Sequence, residues 1–185
     1  MKPTGKQISD AAYAGDIELL RRYAGQGGDF NEIEQGDTLL EEIISDLCLD
    51  KVECRYDVVR ELLALGADPN LLGEDRRGPM IPAMLSMDTE MLRILLEAGA
   101  DPNEVAGFFD SETLYDWAEF DYRFETYDLN APDKPTEADK ADEDAWLTYL
   151  DRMAVKHGKR RPDHLYLLRK HGAKTAQELK TRANT

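Results

Sequence analysis

Apolar residues recur every three or four positions in several stretches of the chain, and each of these stretches ends at a glycine. In residues 58–65, pairs of apolar side chains are separated by polar ones, which is the 3.6-residue period of a helix that buries one face. Gly66 follows, and a glycine just past the last turn can adopt the left-handed backbone that ends a helix. Pro69 prevents the helix from resuming. The pattern predicts a helix that stops at Gly66 and leads into a turn.

One sequence motif, which we call the phrase, occurs several times. It consists of a hydrophobic stretch, a glycine, a small residue, an aspartate, any residue and an asparagine. Complete copies occupy residues 19–31, 58–70 and 91–103, and a shorter copy occupies 165–173. The glycines of the four copies are separated by 39, 33 and 73 residues, at Gly27, Gly66, Gly99 and Gly172. The spacing of 33 is a known repeat period. The longer spacings then contain insertions of 6 and about 40 residues.

This phrase and its period resemble the ankyrin repeat family, in which each unit has an inner helix, an outer helix and a protruding loop. The family's Thr-Pro-Leu-His opening is degenerate here, and no copy keeps the histidine, as residues 38–41, 78–81 and 113–116 show. The resemblance implies an all-α fold, an ankyrin-type helical repeat solenoid of about four repeats in a single domain, 1–179. The predicted repeats are about 6–35, 36–75, 76–110 and 111–179, followed by a frayed tail at 180–185.

The last repeat is predicted to contain an inserted segment at about 128–161. An aromatic-rich inner helix precedes it, and a proline-punctuated loop follows at 130–137. Residues 141–157 then carry apolar side chains at spacings of three and four, which predicts an added helix packed on the aromatic helix. The insertion of 6 residues lies in the second repeat and contains Cys48 and Cys54. It predicts a longer turn between the inner and outer helices of that repeat. Two cysteines six residues apart match neither a zinc set nor a redox pair.

Charge is distributed unevenly along the chain. The protein has 38 acidic and 23 basic side chains, a formal net charge of −15, so we expect no binding to nucleic acid or to an anionic membrane surface. Residues 101–150 contain 15 acidic and 3 basic side chains, whereas residues 155–174 contain 7 basic and 1 acidic. Acidic and aromatic residues alternate in the first of these regions. This mixture is typical of a surface that binds a basic, partly apolar partner.

Motifs for chemistry or targeting do not appear in the sequence. The three histidines recur every seven residues, but Pro162 breaks the helix between the first two, so they do not share a face. We expect no catalytic residue, metal site or cofactor. No apolar run reaches the roughly 20 residues of a membrane-spanning helix, and neither a secretory segment nor a disulfide framework is apparent. These features favour a cytoplasmic protein that is monomeric when free.

The leading hypothesis is a protein–protein interaction module for a specific basic partner, in its sharpest form a neutralising protein of the immunity or antitoxin type. A general ankyrin scaffold or a host-directed effector is the alternative, and an enzyme with a site in segment 128–161 is a more remote one. The candidate contact residues lie at a hairpin tip, in the next loop, on the aromatic helix and at the start of the added helix: Glu74, Asp75, Arg76, Arg77, Phe108, Phe109, Asp110, Asp116, Glu119, Phe120, Arg123, Asp142, Glu143 and Asp144.

Overall fold

The computed structural model describes residues 3–34, 36–103 and 112–183, and within them the protein is of the all-α class. One short hairpin interrupts the helices, with Ile33 opposite Thr38 and Glu34 opposite Asp37. The elements in chain order are α1 Gly5–Ala14, α2 Ile17–Gly25, β1 Ile33–Glu34, β2 Asp37–Thr38, α3 Leu39–Leu49, α4 Arg55–Ala64, α5 Met80–Leu85, α6 Thr89–Glu97, α7 Leu114–Tyr127, a 3-10 turn Ala138–Lys140, α8 Glu143–His157, α9 Asp163–Lys170 and α10 Ala176–Ala183.

The helices form two layers. Helices α1, α3, α5 and α7 contact one another in that order and form the first layer, while α2, α4, α6 and α9 form the second. Each helix of the first layer also packs on one of the second, giving the pairs α1 with α2, α3 with α4, α5 with α6, and α7 with α9. The helices that precede Gly66 and Gly99 therefore lie side by side, as the repeated phrase predicts, and they share one hydrophobic core.

The helix ends follow the sequence signals. Gly66 has a φ of 102°, and the amide of Ala67 donates to the carbonyl of Leu62 at 3.0 Å, which closes the last turn of α4. At the start of α3, the Thr38 hydroxyl accepts from the amide of Glu41 at 3.1 Å. Thr113 caps α7 in the same way. The threonines of the degenerate opening thus act as helix caps.

The asparagine that ends each phrase joins its loop to the next one. The Asn31 side chain donates from Nδ2 to the carbonyl of Gly66 at 3.0 Å and accepts at Oδ1 from the amide of Asp68 at 2.8 Å. We call this pair of bonds an asparagine clasp. The clasp recurs twice, from Asn70 to Gly99 and Asp101, and from Asn103 to Gly172 and Lys174. The third clasp joins loops that are 69 residues apart in the chain, so the inserted segment leaves the spacing of the loops intact.

The inserted segment contains the helix that the sequence predicts, observed as α8 over Glu143–His157. Its buried side chains Leu147, Leu150 and Met153 belong to the common core. The Tyr122 hydroxyl of α7 donates to the carbonyl of Arg160 at 2.7 Å, and the Arg160 guanidinium donates to the carbonyl of Met87. The far end of the insertion is therefore attached to the helix layers.

Helix α10 extends to Ala183 and so includes the first residues of the segment 180–185 that the sequence analysis describes as a frayed tail. A capping box begins this helix. The Thr175 hydroxyl accepts from the amide of Glu178 at 3.1 Å, and the Glu178 carboxylate accepts from the amide of Thr175 at 2.9 Å. Residues 184 and 185 lie outside the described residues.

Candidate interaction cleft

The charged hairpin tip predicted as a contact surface is partly engaged in the protein's own structure. The Arg77 guanidinium lies 2.9 Å from Asp37, 2.6 Å from Asp75 and 3.3 Å from Glu41. Burial raises the pKa of Glu41 to about 7 in spite of this arginine. Asp75 and Arg77 thus stabilise the loop, whereas Glu74 and Arg76 are exposed beside them. Phe108, Phe109 and Asp110 lie outside the described residues.

On helix α7, three of the predicted contact residues have structural partners. The Asp116 carboxylate accepts from the Thr113 hydroxyl at 2.9 Å and from the amide of Ala176 at 2.9 Å, which links α7 to α10. The Glu119 carboxylate accepts from the Trp146 indole at 2.7 Å and from Arg123 at 2.5 Å. Helix α8 is therefore held against the aromatic helix, as the sequence predicts.

Phe120 is the aromatic member of the predicted set that lies within the described residues. It is 41% exposed, and its ring stacks on Phe124, which is 47% exposed, with ring centres 6.4 Å apart. Trp117 contacts the edge of the same ring at 5.9 Å. Partly exposed aromatic side chains such as these contribute most to the binding energy of a protein interface when a partner buries them.

The three acidic residues at the start of α8 have three different roles. Asp142 is the N-cap, and its carboxylate accepts from the amide of Ala145 at 2.8 Å. Asp144 is exposed and lies 3.3 Å from Arg169. Glu143 is partly buried, and the structure gives it no hydrogen bond or ion pair among the described residues. Burial raises the pKa of Glu143, and the charge of Glu119 raises it further.

These elements enclose an open cleft of about 560 Å³ between α7, the start of α8 and the start of α10. A second depression of about 890 Å³ adjoins it and shares Glu143, Trp146 and Thr175 with it. We call the first the acidic cleft. Its walls bring together five of the predicted contact residues, Asp116, Glu119, Phe120, Arg123 and Glu143, while Asp142 lines the adjoining depression. Carboxyl groups outnumber cations in the cleft.

Two cleft residues could not be assigned a role from the sequence. Tyr115 is 1% exposed, and its hydroxyl is buried without a hydrogen-bond partner among the described residues. Its position in an aromatic helix predicts only core packing. Trp146 follows the apolar spacing of α8, yet its indole reaches the carboxylate of Glu119. The Thr-x-x-Glu signature at Thr175 was a readable signal for the helix that forms the third wall.

Among the described residues, no group of three or more histidine, cysteine or acidic side chains is arranged to hold a metal ion. Burial raises the pKa of the Cys48 thiol to about 12, which disfavours the reactive thiolate. The His164 ring packs on Tyr122 with centres 5.6 Å apart, and burial lowers the pKa of His164 to about 4. Among the described helices, none is long and apolar enough to cross a membrane.

Comparison of the chain with protein-family models gave no match, and a search of curated proteins gave none either.

Proposed function

We propose that this chain is an ankyrin-type helical repeat protein that binds a basic protein partner through the acidic cleft and the exposed aromatic residues beside it. Three repeated asparagine clasps and two parallel rows of helices support the repeat architecture. Each clasp connects equivalent positions of successive phrases, which is what stacking of a recurring unit requires.

The observation that carries the proposed function is the juxtaposition of carboxyl groups and exposed aromatic rings on one side of α7. Glu143 and Glu119 line the cleft, and Phe120 lies on its wall. Opposite charge on a partner would guide association, and burial of the phenyl ring would slow dissociation. A surface of this composition supports binding to a protein more than binding to a nucleic acid or to a small apolar ligand.

Binding is favoured over catalysis because two of the four cleft carboxyl groups already have structural roles. Asp116 and Glu119 are engaged in hydrogen bonds that hold the helices together, and in the adjoining depression Glu178 accepts from Arg169 at 2.6 Å. Acid–base hydrolysis by a carboxyl pair needs two groups that are free to exchange protons with a substrate. Asp116 and Glu119 are not free in this sense.

A pull-down with a charge-matched control tests the proposal. The bait is the full chain, immobilised at low salt, and captured proteins are identified by mass spectrometry and eluted with increasing salt. Glu143→Lys with Asp144→Lys should abolish capture of a basic partner. Asp57→Lys with Glu97→Lys, on exposed faces of α4 and α6, changes the net charge equally and should retain capture. Recovery of no stoichiometric basic protein by the unmodified chain would refute the proposed function.

The same experiment addresses the form that this function takes. A single basic protein that loses a toxic or enzymatic activity when bound would support the neutralising form. Several unrelated proteins held at once would instead support the scaffold form.

A further inference from the structure

Glu143 is a carboxylate in an environment of like charge, and no described residue forms a hydrogen bond or ion pair with its side chain. It is the first residue of α8, and burial together with the charges of Glu119 and Glu178 raises its pKa. Arg169 is the cation that acts on it, but this guanidinium is bound to Glu178 at 2.6 Å. A partly buried carboxylate is stabilised by a hydrogen-bond donor or a cation, and no described residue donates a hydrogen bond to Glu143.

Tyr115 provides a second, independent observation that points to a ligand-binding role of the cleft. The side chain is 99% buried, it lines the acidic cleft, and its hydroxyl makes no hydrogen bond among the described residues. The charge of Glu143 acts on this hydroxyl, so the two groups belong to the same region of the cleft. Buried tyrosine hydroxyls in folded proteins normally have a partner.

The aromatic walls of the cleft already accept guanidinium groups. The Arg123 guanidinium lies 6.0 Å from the centre of the Trp146 ring, and that of Arg169 lies 5.4 Å from the centre of Tyr115. A guanidinium is planar, stacks on rings and spreads five N–H donors in one plane. An ammonium group is a compact point charge and would not match separate acceptors as well.

We propose that the acidic cleft receives an arginine side chain of the partner, with the Glu143 carboxylate as its ion-pair acceptor and the Tyr115 hydroxyl as a second acceptor. This inference rests on the proposed function and specifies the chemistry that the partner must present. The guanidinium donates to the two groups for which no described residue provides a donor.

Titration with short capped peptides tests this inference without knowledge of the partner. The probe is a capped peptide with four arginines, compared with the same peptide containing four lysines and with free arginine amide. The readout is the indole N–H signal of Trp146 in a two-dimensional NMR spectrum, assigned with Trp146→Phe. The arginine peptide should shift this signal and bind at least ten-fold more tightly than the lysine peptide and the amide.

The deciding variant is Glu143→Gln, which should weaken the arginine peptide at least ten-fold. The matched control is Glu97→Gln on the exposed part of α6, and it should change the affinity by less than two-fold. Unchanged affinity in Glu143→Gln, or an unmoved Trp146 signal, would overturn the inference. Equal binding of the lysine peptide would overturn the choice of arginine. Equal binding of free arginine amide would indicate a small-molecule site instead of a partner contact.

Thermal unfolding separates a binding role from a structural one. Removal of a carboxylate crowded by like charges should leave the midpoint of Glu143→Gln equal to or higher than that of the unmodified chain. A lower midpoint accompanied by lost binding would mean that Glu143 supports the fold, and the inference would fail.

If Glu143→Gln still captures the basic partner from a lysate, the cleft inference fails while the proposed function stands. If the unmodified chain captures no partner yet binds the arginine peptide, only the proposed function fails.

Discussion

The loops of the two helix layers and the inserted segment 128–161 are held by different kinds of contact. Each asparagine clasp ends on a carbonyl and an amide of the next loop, so the partner groups are present whatever side chains stand there. The inserted segment shares the hydrophobic core through Leu147, Leu150 and Met153, and its own turns are joined by charged side chains, at 2.9 Å between Arg152 and Asp139, 2.5 Å between Lys156 and Asp133, and 2.6 Å between Arg161 and Asp151. Exposed ion pairs are individually weak and sensitive to salt.

This difference explains how a long insertion can be accommodated. Because the clasp of Asn103 recognises backbone groups at Gly172 and Lys174, the stack of loops continues regardless of what the chain does between them. The inserted segment is then free to carry specialised side chains. Within it, the hydroxyl and amide of Thr136, together with Arg152, lower the pKa of Asp139 to about 2, and the Arg152 guanidinium joins this turn to α8 by donating to Asp139 at 2.9 Å.

A pair of core substitutions should give the largest contrast between the two regions. Leu62→Ala in α4 and Leu150→Ala in α8 each remove a fully buried side chain and should each cost about 2–5 kcal/mol. Amide hydrogen exchange should show that Leu62→Ala lowers protection throughout the helix layers. Leu150→Ala should lower it chiefly in α8 and in the turn Ala138–Lys140, against which α8 packs. Equal loss of protection in every helix after either change would show that the helix layers and the inserted segment unfold as one unit.

The junction between the two regions should be sensitive to acid through His164. Burial, aided by the charge of Arg160, lowers its pKa from 6.5 to about 4. Between these pH values the unfolded chain binds a proton that the folded chain does not, so stability falls as the pH decreases through this window. The loss should be on the order of 3 kcal/mol by pH 4.5. Urea unfolding of His164→Gln should show a flatter pH dependence by that amount, and a slope equal to that of the unmodified chain would contradict this role of His164.

The smallest effect should come from a single asparagine clasp. Asn70→Ala removes two hydrogen bonds to the loop of Gly99, and because these groups are exposed the cost should be about 1–2 kcal/mol. Asn130→Ala is the control, since its side chain bonds only to the nearby carbonyl of Asp128, and its cost should be under about 0.5 kcal/mol. Chemical denaturation measures both. Equal destabilisation by the two changes would show that the clasps add nothing beyond a local turn.

The sequence alone determined the features that depend on local periodicity and on backbone conformation. The apolar spacing before Gly66 and Gly99 identified helices, and the helix predicted at 141–157 is observed at Glu143–His157. Glycine at the end of each phrase has a physical reason, since Gly66 takes a φ of 102° that other residues avoid. The repeated asparagine was visible in the sequence, but its partners were not, because a clasp joins loops 29 to 69 residues apart.

Only the tertiary structure decided which of the charged residues are available for binding. The sequence does not separate the roles of four acidic residues that lie near aromatic ones, namely Asp116, Glu119, Asp142 and Glu143. In the folded chain, Asp142 and Asp116 cap helices, Glu119 binds the Trp146 indole, and Glu143 has no hydrogen-bond or ion-pair partner among the described residues. A hydrogen bond between side chains of α7 and α8 depends on two groups brought together by distant parts of the chain, so local pattern cannot reveal it. The position of Glu143, partly buried and beside other carboxylates, is a property of that same assembly.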